Sequence, residues 1–207
     1  MPENKTEKII EYRAIQNIEL RKDDDKPTKI IGYAAVFDTL SVPLGWDGGF
    51  REKIAKGAFA KTIKKDDIRA LVDHESGKII GRNKAGTLTL EEDKKGLLVE
   101  ITPPDTQTGR DIVTSIERGD VDGMSFGFET VTDEWHTEDK KEIRTLIEVN
   151  LFDVSLVTFP AYTSTTVAVR SFEVCAKRSF DAWKESQKKE EGIKERMSMH
   201  LALEESK

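Results

Sequence analysis

The sequence predicts a mainly β fold with helices on its outside, and three observations lead to it. Short runs rich in β-branched and aromatic residues, separated by turn residues, fill the first two-thirds of the 207-residue chain. A single central stretch changes to helical spacing. After about Arg170 the chain becomes rich in Lys and Glu and poor in β-branched residues. Many short strands around one central helix indicate an antiparallel barrel or sandwich, α+β in class, followed by a charged helical tail.

The elements follow in order. "KIIEYRAIQNIEL" and "KIIGYAAVF" read as antiparallel strands around the polar, proline-containing break "KDDDKPT". "VPLGWDGGF" is a glycine-rich loop, and "REKIAKGAFAKTIKK" a strand end running into a short helix. "DIRALVDH" alternates again, and "GTLTLEEDKKGLLVEI" reads as a hairpin whose two arms flank an acidic turn. In "PDTQTGRDIVTSIERGD" the residues Ile112, Val113 and Ile116 fall at helical spacing. Asp105 or Thr106 can cap its start, and Gly119 suits a left-handed end, which gives one helix of about three turns. Three strand-like runs follow, "GMSFGFETVTDEW", "KEIRTLIEVN" and "LFDVSLVTFP", ending at Pro160. The tail reads as one or two surface helices or a partly ordered segment.

Composition removes several function classes. With 37% hydrophobic and 35% charged residues and a mean hydropathy of -0.53, the chain has the balance of a water-soluble domain. No apolar run approaches the roughly 20 residues that span a bilayer. "MPENKTEKIIEYR" lacks a signal-peptide core, so the chain is expected to stay in the cytoplasm. A net charge of -6 with both signs interspersed argues against a nucleic-acid surface. The single cysteine, Cys175, provides neither a disulfide framework nor a metal cluster, and no cofactor or metal is expected.

Alternation sorts the chemistry-bearing side chains by face. In "GMSFGF" the residues Met124, Phe126 and Phe128 point toward a core, while Ser125, Gly127 and Glu129 point away. In "LFDVSLVTF" the residues Phe152, Val154 and Leu156 share one face, and Asp153 and Ser155 the other. An acid within an apolar strand needs a partner. Of the three histidines, His74 closes a strand, His136 lies in a polar turn and His200 in the charged tail, so His74 is the best-placed general base. His74, Ser125 and Asp153 could form a nucleophile, base and orienting acid if the fold brings them together. Taken singly, each also has an ordinary structural account, and spacing leaves both readings open.

Six pieces in order extend the reading: "GYAAVFD", "EKIAKGAF", "DHESGKIIGR", "GLLVEI", "GMSFGF" and "DVSLVTFPA". Together, from about Ile31 to Val169, they resemble the prohead or capsid-maturation proteases of tailed bacteriophages, which are similar to the herpesvirus assemblin proteases. The resemblance implies an antiparallel β-barrel of the herpesvirus-protease type at 1–170 and a helical tail at 171–207 that self-cleavage would remove, between about Val169 and Lys189. It implies His74 as general base, Ser125 as nucleophile and Asp153 as the orienting acid. Arg82 and, more weakly, Arg144 are candidates for oxyanion or substrate contact, and Glu129 and Glu75 could also reach the histidine. Two departures touch connecting segments: Lys56 stands where a proline is common, and Tyr162-Thr163 where Asn-Pro is frequent.

The implied activity is a serine endopeptidase that cuts the scaffolding protein, or a scaffolding segment of the major capsid protein, and itself. It would act inside the prohead in the host cytoplasm, as a homo-oligomer such as a dimer, without direct contact to nucleic acid or membrane. The alternative is a catalytically inactive capsid-assembly or scaffold-associated structural protein. A ligand-binding β-barrel and a cysteine protease centred on Cys175 fit the residues less well. The His74–Ser125 distance separates these readings.

Overall fold

The computed structural model describes residues 10–16, 18–22, 27–44, 49–159 and 166–205, with the side chains of Gln16, 166–175 and 200–205 left aside. Tyr162 and Thr163 lie outside the described residues, as do the side chains of Cys175 and His200. Ten strands form two sheets among the described residues. The first holds β1 (Glu11–Gln16), β4 (Phe50–Ile54), β5 (Arg69–Val72), β6 (Glu75–Arg82), β9 (Gly123–Glu138) and β10 (Lys141–Val157). Its order is β1-β9-β10-β5-β6, with β4 also paired to β10. The second holds β2 (Ile18–Arg21), β3 (Lys29–Val36), β7 (Leu88–Glu92) and β8 (Gly96–Ile101), in the order β2-β3-β8-β7.

Two expectations change here. The runs "KEIRTLIEVN" and "LFDVSLVTFP" are one 17-residue strand, β10, whose register against β9 shifts between Leu146 and Glu148, between Glu148 and Val149, and between Leu151 and Asp153. Apolar residues continue through that stretch without a turn signal, so the ladder absorbs the irregularity as bulges. Of the barrel and sandwich that the sequence allows, the strands form two sheets not closed into a barrel, and the pairing is not wholly antiparallel, because β10 pairs in parallel with both β4 and β5. The chain changes sheet between β1 and β2, between β3 and β4, at the 3-10 turn Asn83–Ala85 between β6 and β7, and between β8 and β9. Between the sheets, one isolated parallel bridge joins Phe37 to Ile54. Strands that turn a corner in this way form a packed sandwich edge without a closed ladder.

Both sheets contribute to one core. Ile30, Ala34, Leu97, Val99 and Ile101 meet Met124, Phe126, Phe128, Leu151, Val154 and Leu156; alternation predicts these faces except at Phe152, where the register shift between Leu151 and Asp153 puts Leu151 in the core instead. Helix α1 (Thr62–Lys65) is short, and its Thr62 Oγ1 accepts from Leu151 N at 2.8 Å. Helix α2 (Gln107–Arg118) buries Ile112 and packs Val113 and Ile116 against the core. Thr106, not Asp105, caps it by accepting from Gly109 N, and Gly119 ends it at φ 79°, a left-handed geometry that suits glycine.

The tail is one 40-residue helix, α3 (Thr166–Glu205), rather than two short helices or a loose segment. Ala176, Phe180 and Trp183 dock on Trp135, Phe50 and Leu44, and Trp135 Nε1 donates to Ser179 Oγ at 2.9 Å. The docking patch includes the far half of β9, away from its Ser125 end.

Beneath the β1 edge lies a buried ion network. Arg144 is 1% exposed and its guanidinium meets Glu11 at 2.8 Å, Glu52 at 3.0 Å and Asp133 at 2.6 Å. Arg13 adds a second pair, with Nε 2.6 Å from Glu52. Burial alone would pull Arg144 below its ordinary value, but attraction from Glu11 and Glu52 overrides it and holds the cation charged. Burial pushes Glu11 up while Arg13 and Arg144 pull harder, so its carboxyl lies below the ordinary 4.5. The stabilisation from Glu11 is complete above that value and is withdrawn as pH falls through the folded-state value. Removing one member of a buried pair leaves uncompensated charge, so Arg144→Met is expected to lower stability by about 3–5 kcal/mol. Urea denaturation measures this, and an unchanged midpoint would contradict the account.

Candidate active site

The β9–β10 ladder sets Ser125 opposite Ser155 and Gly127 opposite Asp153. On the other side of β9, Ala14 stands opposite Ser125 and Tyr12 opposite Gly127. Two adjacent rows, Ala14–Ser125–Ser155 and Tyr12–Gly127–Asp153, therefore share the sheet face away from the core.

A hairpin tip brings the third group. Val72 pairs with Glu75, which leaves Asp73 and His74 as a two-residue loop with φ of 49° and 58°. Both central residues of a type I′ turn need positive φ, and Asp and His tolerate that region better than most side chains. The turn is tied to the end of β10: Asp73 N donates to Leu156 O at 2.9 Å, and the Asp73 carboxylate accepts from Thr158 N at 3.0 Å.

The imidazole consequently reaches both rows. His74 Nε2 lies 2.7 Å from Ser125 Oγ, and His74 Nδ1 lies 2.6 Å from Asp153 Oδ1. With the carboxylate ionised, Nδ1–H donates to Asp153 and Nε2 accepts from the Ser125 hydroxyl, the tautomer that prepares Nε2 to take a proton. Ser125 is 2% exposed and Asp153 8%, so water competes little for these bonds. The Tyr12 ring packs on the imidazole at a centroid distance of 4.3 Å. Burial, and secondarily the Asp153 charge, raises the Tyr12 phenol above its ordinary range, keeping it neutral beside the carboxylate.

Gly127 is required by close approach. A Cβ there would stand 2.5 Å from Asp153 Oδ2 and 2.9 Å from Tyr12 Cε1. Tyr12, Gly127 and Ser155 thus belong to the site beside the three residues expected from sequence. Alternation had already put Gly127 and Ser155 on this face, but Tyr12 arrives through a β1–β9 pairing that no local pattern records.

Other sequence candidates lie elsewhere. Arg82 grips Asp67 with two bonds of 2.7 and 2.6 Å, and this drives the Asp67 carboxyl down to about 2. It closes β6 in the cross-sheet row Asp153–Arg69–Arg82, two strands from Asp153, with its guanidinium held by Asp67. Arg144 is committed to the ion network, about 30 Å from Asp153 along β10 at roughly 3.3 Å per residue. The Arg144 guanidinium is thus kept from Ser125, which corrects the expectation of an oxyanion role for that residue. Glu75 bonds Lys78 at 2.9 Å and Glu129 meets Asn150 at 3.4 Å. His136 lies 3.6 Å from Glu138 near the far end of β9. Among the described residues no cluster of His, Cys, Asp or Glu is arranged to hold a metal ion, and no helix is long and apolar enough to cross a membrane.

Comparison with known proteins adds the family. The sequence model of the family described as caudovirus prohead serine protease matches residues 16–180. The chain belongs to that family. Among solved structures, this prohead protease is similar to the capsid assembly protease gp21 of bacteriophage T4, with a TM-score of 0.50 and 11% identity over 73% of this chain and 98% of that one. At that identity the likeness is one of fold. No curated protein matches the sequence. The chain is a serine protease of capsid maturation.

The glycine at 127 gives the test of this geometry. Gly127→Ala should displace the Asp153 carboxylate and lower the proteolytic rate about 100-fold, the scale of a misplacement near 1 Å. Partner cleavage followed by intact mass checks it, and a wild-type rate would show that Asp153 tolerates displacement.

Proposed function

We propose that Ser125 is the nucleophile, His74 the general base and Asp153 the orienting acid of a serine endopeptidase that cuts a scaffolding protein, or a scaffolding segment of the major capsid protein, inside the prohead in the host cytoplasm. The observation that carries this reading is the unbroken chain Ser125 Oγ, His74 Nε2, His74 Nδ1, Asp153 Oδ1, with both contacts under 3 Å. A catalytically silent structural protein has no need of that alignment.

Chemistry follows from the atoms. As Ser125 Oγ attacks the peptide carbonyl carbon, its proton passes to His74 Nε2 and the carbonyl oxygen becomes an oxyanion. The ionised Asp153 stabilises the imidazolium and is not itself protonated. Collapse expels the amine, which takes the proton from Nε2, and leaves an acyl ester on Ser125. Water, deprotonated by the same nitrogen, attacks the ester and returns free serine. The oxyanion needs preorganised donors beside Ser125, and Arg144, held by Glu11, Glu52 and Asp133, is not one of them.

The reading extends to the chain itself: a protease domain at 1–170 and a tail at 171–207 removed by self-cleavage between about Val169 and Lys189. Proteases bind extended chain, so a bond in this window is cut when α3 has locally unwound, and a cut before Ala176 would release the Phe180 and Trp183 anchors together. Partners are the capsid or scaffold protein and further copies of this chain, a dimer being the simplest assembly.

Co-expression with the cognate capsid and scaffold proteins tests the proposal. Wild type should cleave its partner and shed its tail, while Ser125→Ala loses both by at least about 1,000-fold, as for removal of a serine nucleophile elsewhere. Gels and intact masses read the result, and equal cleavage by Ser125→Ala would overturn the assignment.

A further inference from the structure

Ser155 is fully buried, at 0% exposure, between Val154 and Leu156, where an apolar residue would otherwise sit. Burying a hydroxyl there is unfavourable unless it is bonded. Its partner is Asp153: Ser155 Oγ donates to Oδ1 at 2.6 Å. That same oxygen accepts His74 Nδ1–H at 2.6 Å, while Oδ2 lies over Gly127, where even a methyl group would collide with it. Two donors, one from the β5–β6 turn and one from β10, therefore converge on one carboxylate oxygen, and the other oxygen is confined by the sheet. Rotation of the carboxylate breaks at least one of the two bonds.

We propose that Ser155 is a positioning residue of the proteolytic site, acting through Asp153 to fix the plane and tautomer of His74. The inference rests on the assignment of Ser125, His74 and Asp153 given above. Ser155 does not contact the reacting atoms; it stands across the ladder from Ser125 and bonds the acid that bonds the base. Its small size also matters, because Ala14 and Ser155 flank Ser125 in one row and leave the space into which the imidazole descends.

Removing the hydroxyl has two consequences. The carboxylate gains freedom to turn away from Nδ1, so fewer molecules hold the reactive arrangement. When it does face Nδ1, its Oδ1 is no longer shared, so it attracts the imidazolium more strongly and His74 holds its proton to higher pH. The charged and titratable groups around His74 are Asp153 from β10, Tyr12 from β1, and Asp73 and Glu75 on its own hairpin. Asp73 is bound to Thr158 and Glu75 to Lys78, and from β9 the imidazole meets the neutral Ser125. The change in Asp153 is therefore the one that the substitution transmits.

The test is the second-order rate at which diisopropyl fluorophosphate modifies Ser125 in the full chain, measured against pH for wild type, Ser155→Ala, Ser155→Thr and Ser125→Ala, with thermal unfolding of each. Ser155→Ala should react roughly 10-fold more slowly, and the acidic limb of its profile should move to higher pH. Ser155→Thr keeps the hydroxyl and should hold the limb at its wild-type position. Wild-type rate and limb in Ser155→Ala would overturn the proposal. So would a slower reaction with an unmoved limb that Ser155→Thr does not restore, since that marks a purely structural serine. If wild type is not modified at Ser125, or Ser125→Ala is modified equally, the nucleophile assignment fails and the role of Ser155 fails with it.

Discussion

The ladder between β9 and β10 determines what this sheet can do. It sets Ser125 against Ser155 and Gly127 against Asp153, and a slip of one residue in either strand would turn the polar set into the core and the phenylalanines out to solvent. Met124, Phe126, Phe128, Val154 and Leu156 oppose such a slip, because each is buried and their exposure would be unfavourable by roughly 1.5–3 kcal/mol apiece. Core packing thus does more than hold the fold together. It fixes the register that presents the hydroxyl and the carboxylate on one face.

Other interactions secure what the ladder leaves open. The β5–β6 turn carries His74, and its position depends on bonds from Asp73 to the end of β10 instead of on core contacts. At the opposite edge, Glu11 and Arg13 flank Tyr12 in sequence and are bound into the network with Arg144 and Glu52, so the strand that supplies the wall behind the imidazole is held by charge. A buried network of this kind favours one pairing of strands over its alternatives, since any shift strands an ion without its partner. The docked part of α3 packs on Trp135, Phe50 and Leu44.

The fold class and the faces of two strands were legible because period-two alternation is local. Ser125 with Phe126, and Asp153 with Val154, declare their sides within a few residues. The type I′ turn was not legible, since "DHES" lacks the glycine that usually marks it, and the positive φ at Asp73 and His74 follows from the β5–β6 pairing. Arg144 was misread for a related reason: its partners Glu11 and Glu52 lie far away in sequence, and nothing near "EIRTLIE" distinguishes a buried cation from a solvated one. The choice between barrel and sandwich, and the parallel pairing of β10 with β4 and β5, escaped because corners depend on where a strand leaves one ladder for another. In α3, charged residues with few turn signals fit one long helix as well as two, and docking of Phe180 and Trp183 on Trp135 is a tertiary contact.

The central claim is that the resting chain already holds Ser125, His74 and Asp153 in line, before any substrate arrives. Nuclear magnetic resonance of nitrogen-15-labelled histidines tests it most directly. The account predicts that His74 carries its proton on Nδ1, slow to exchange and shifted far downfield by the Asp153 carboxylate, with Nε2 unprotonated, and that Asp153→Asn removes the signal. A His74 whose protons exchange as fast as those of the exposed His136, or whose proton resides on Nε2, would contradict it.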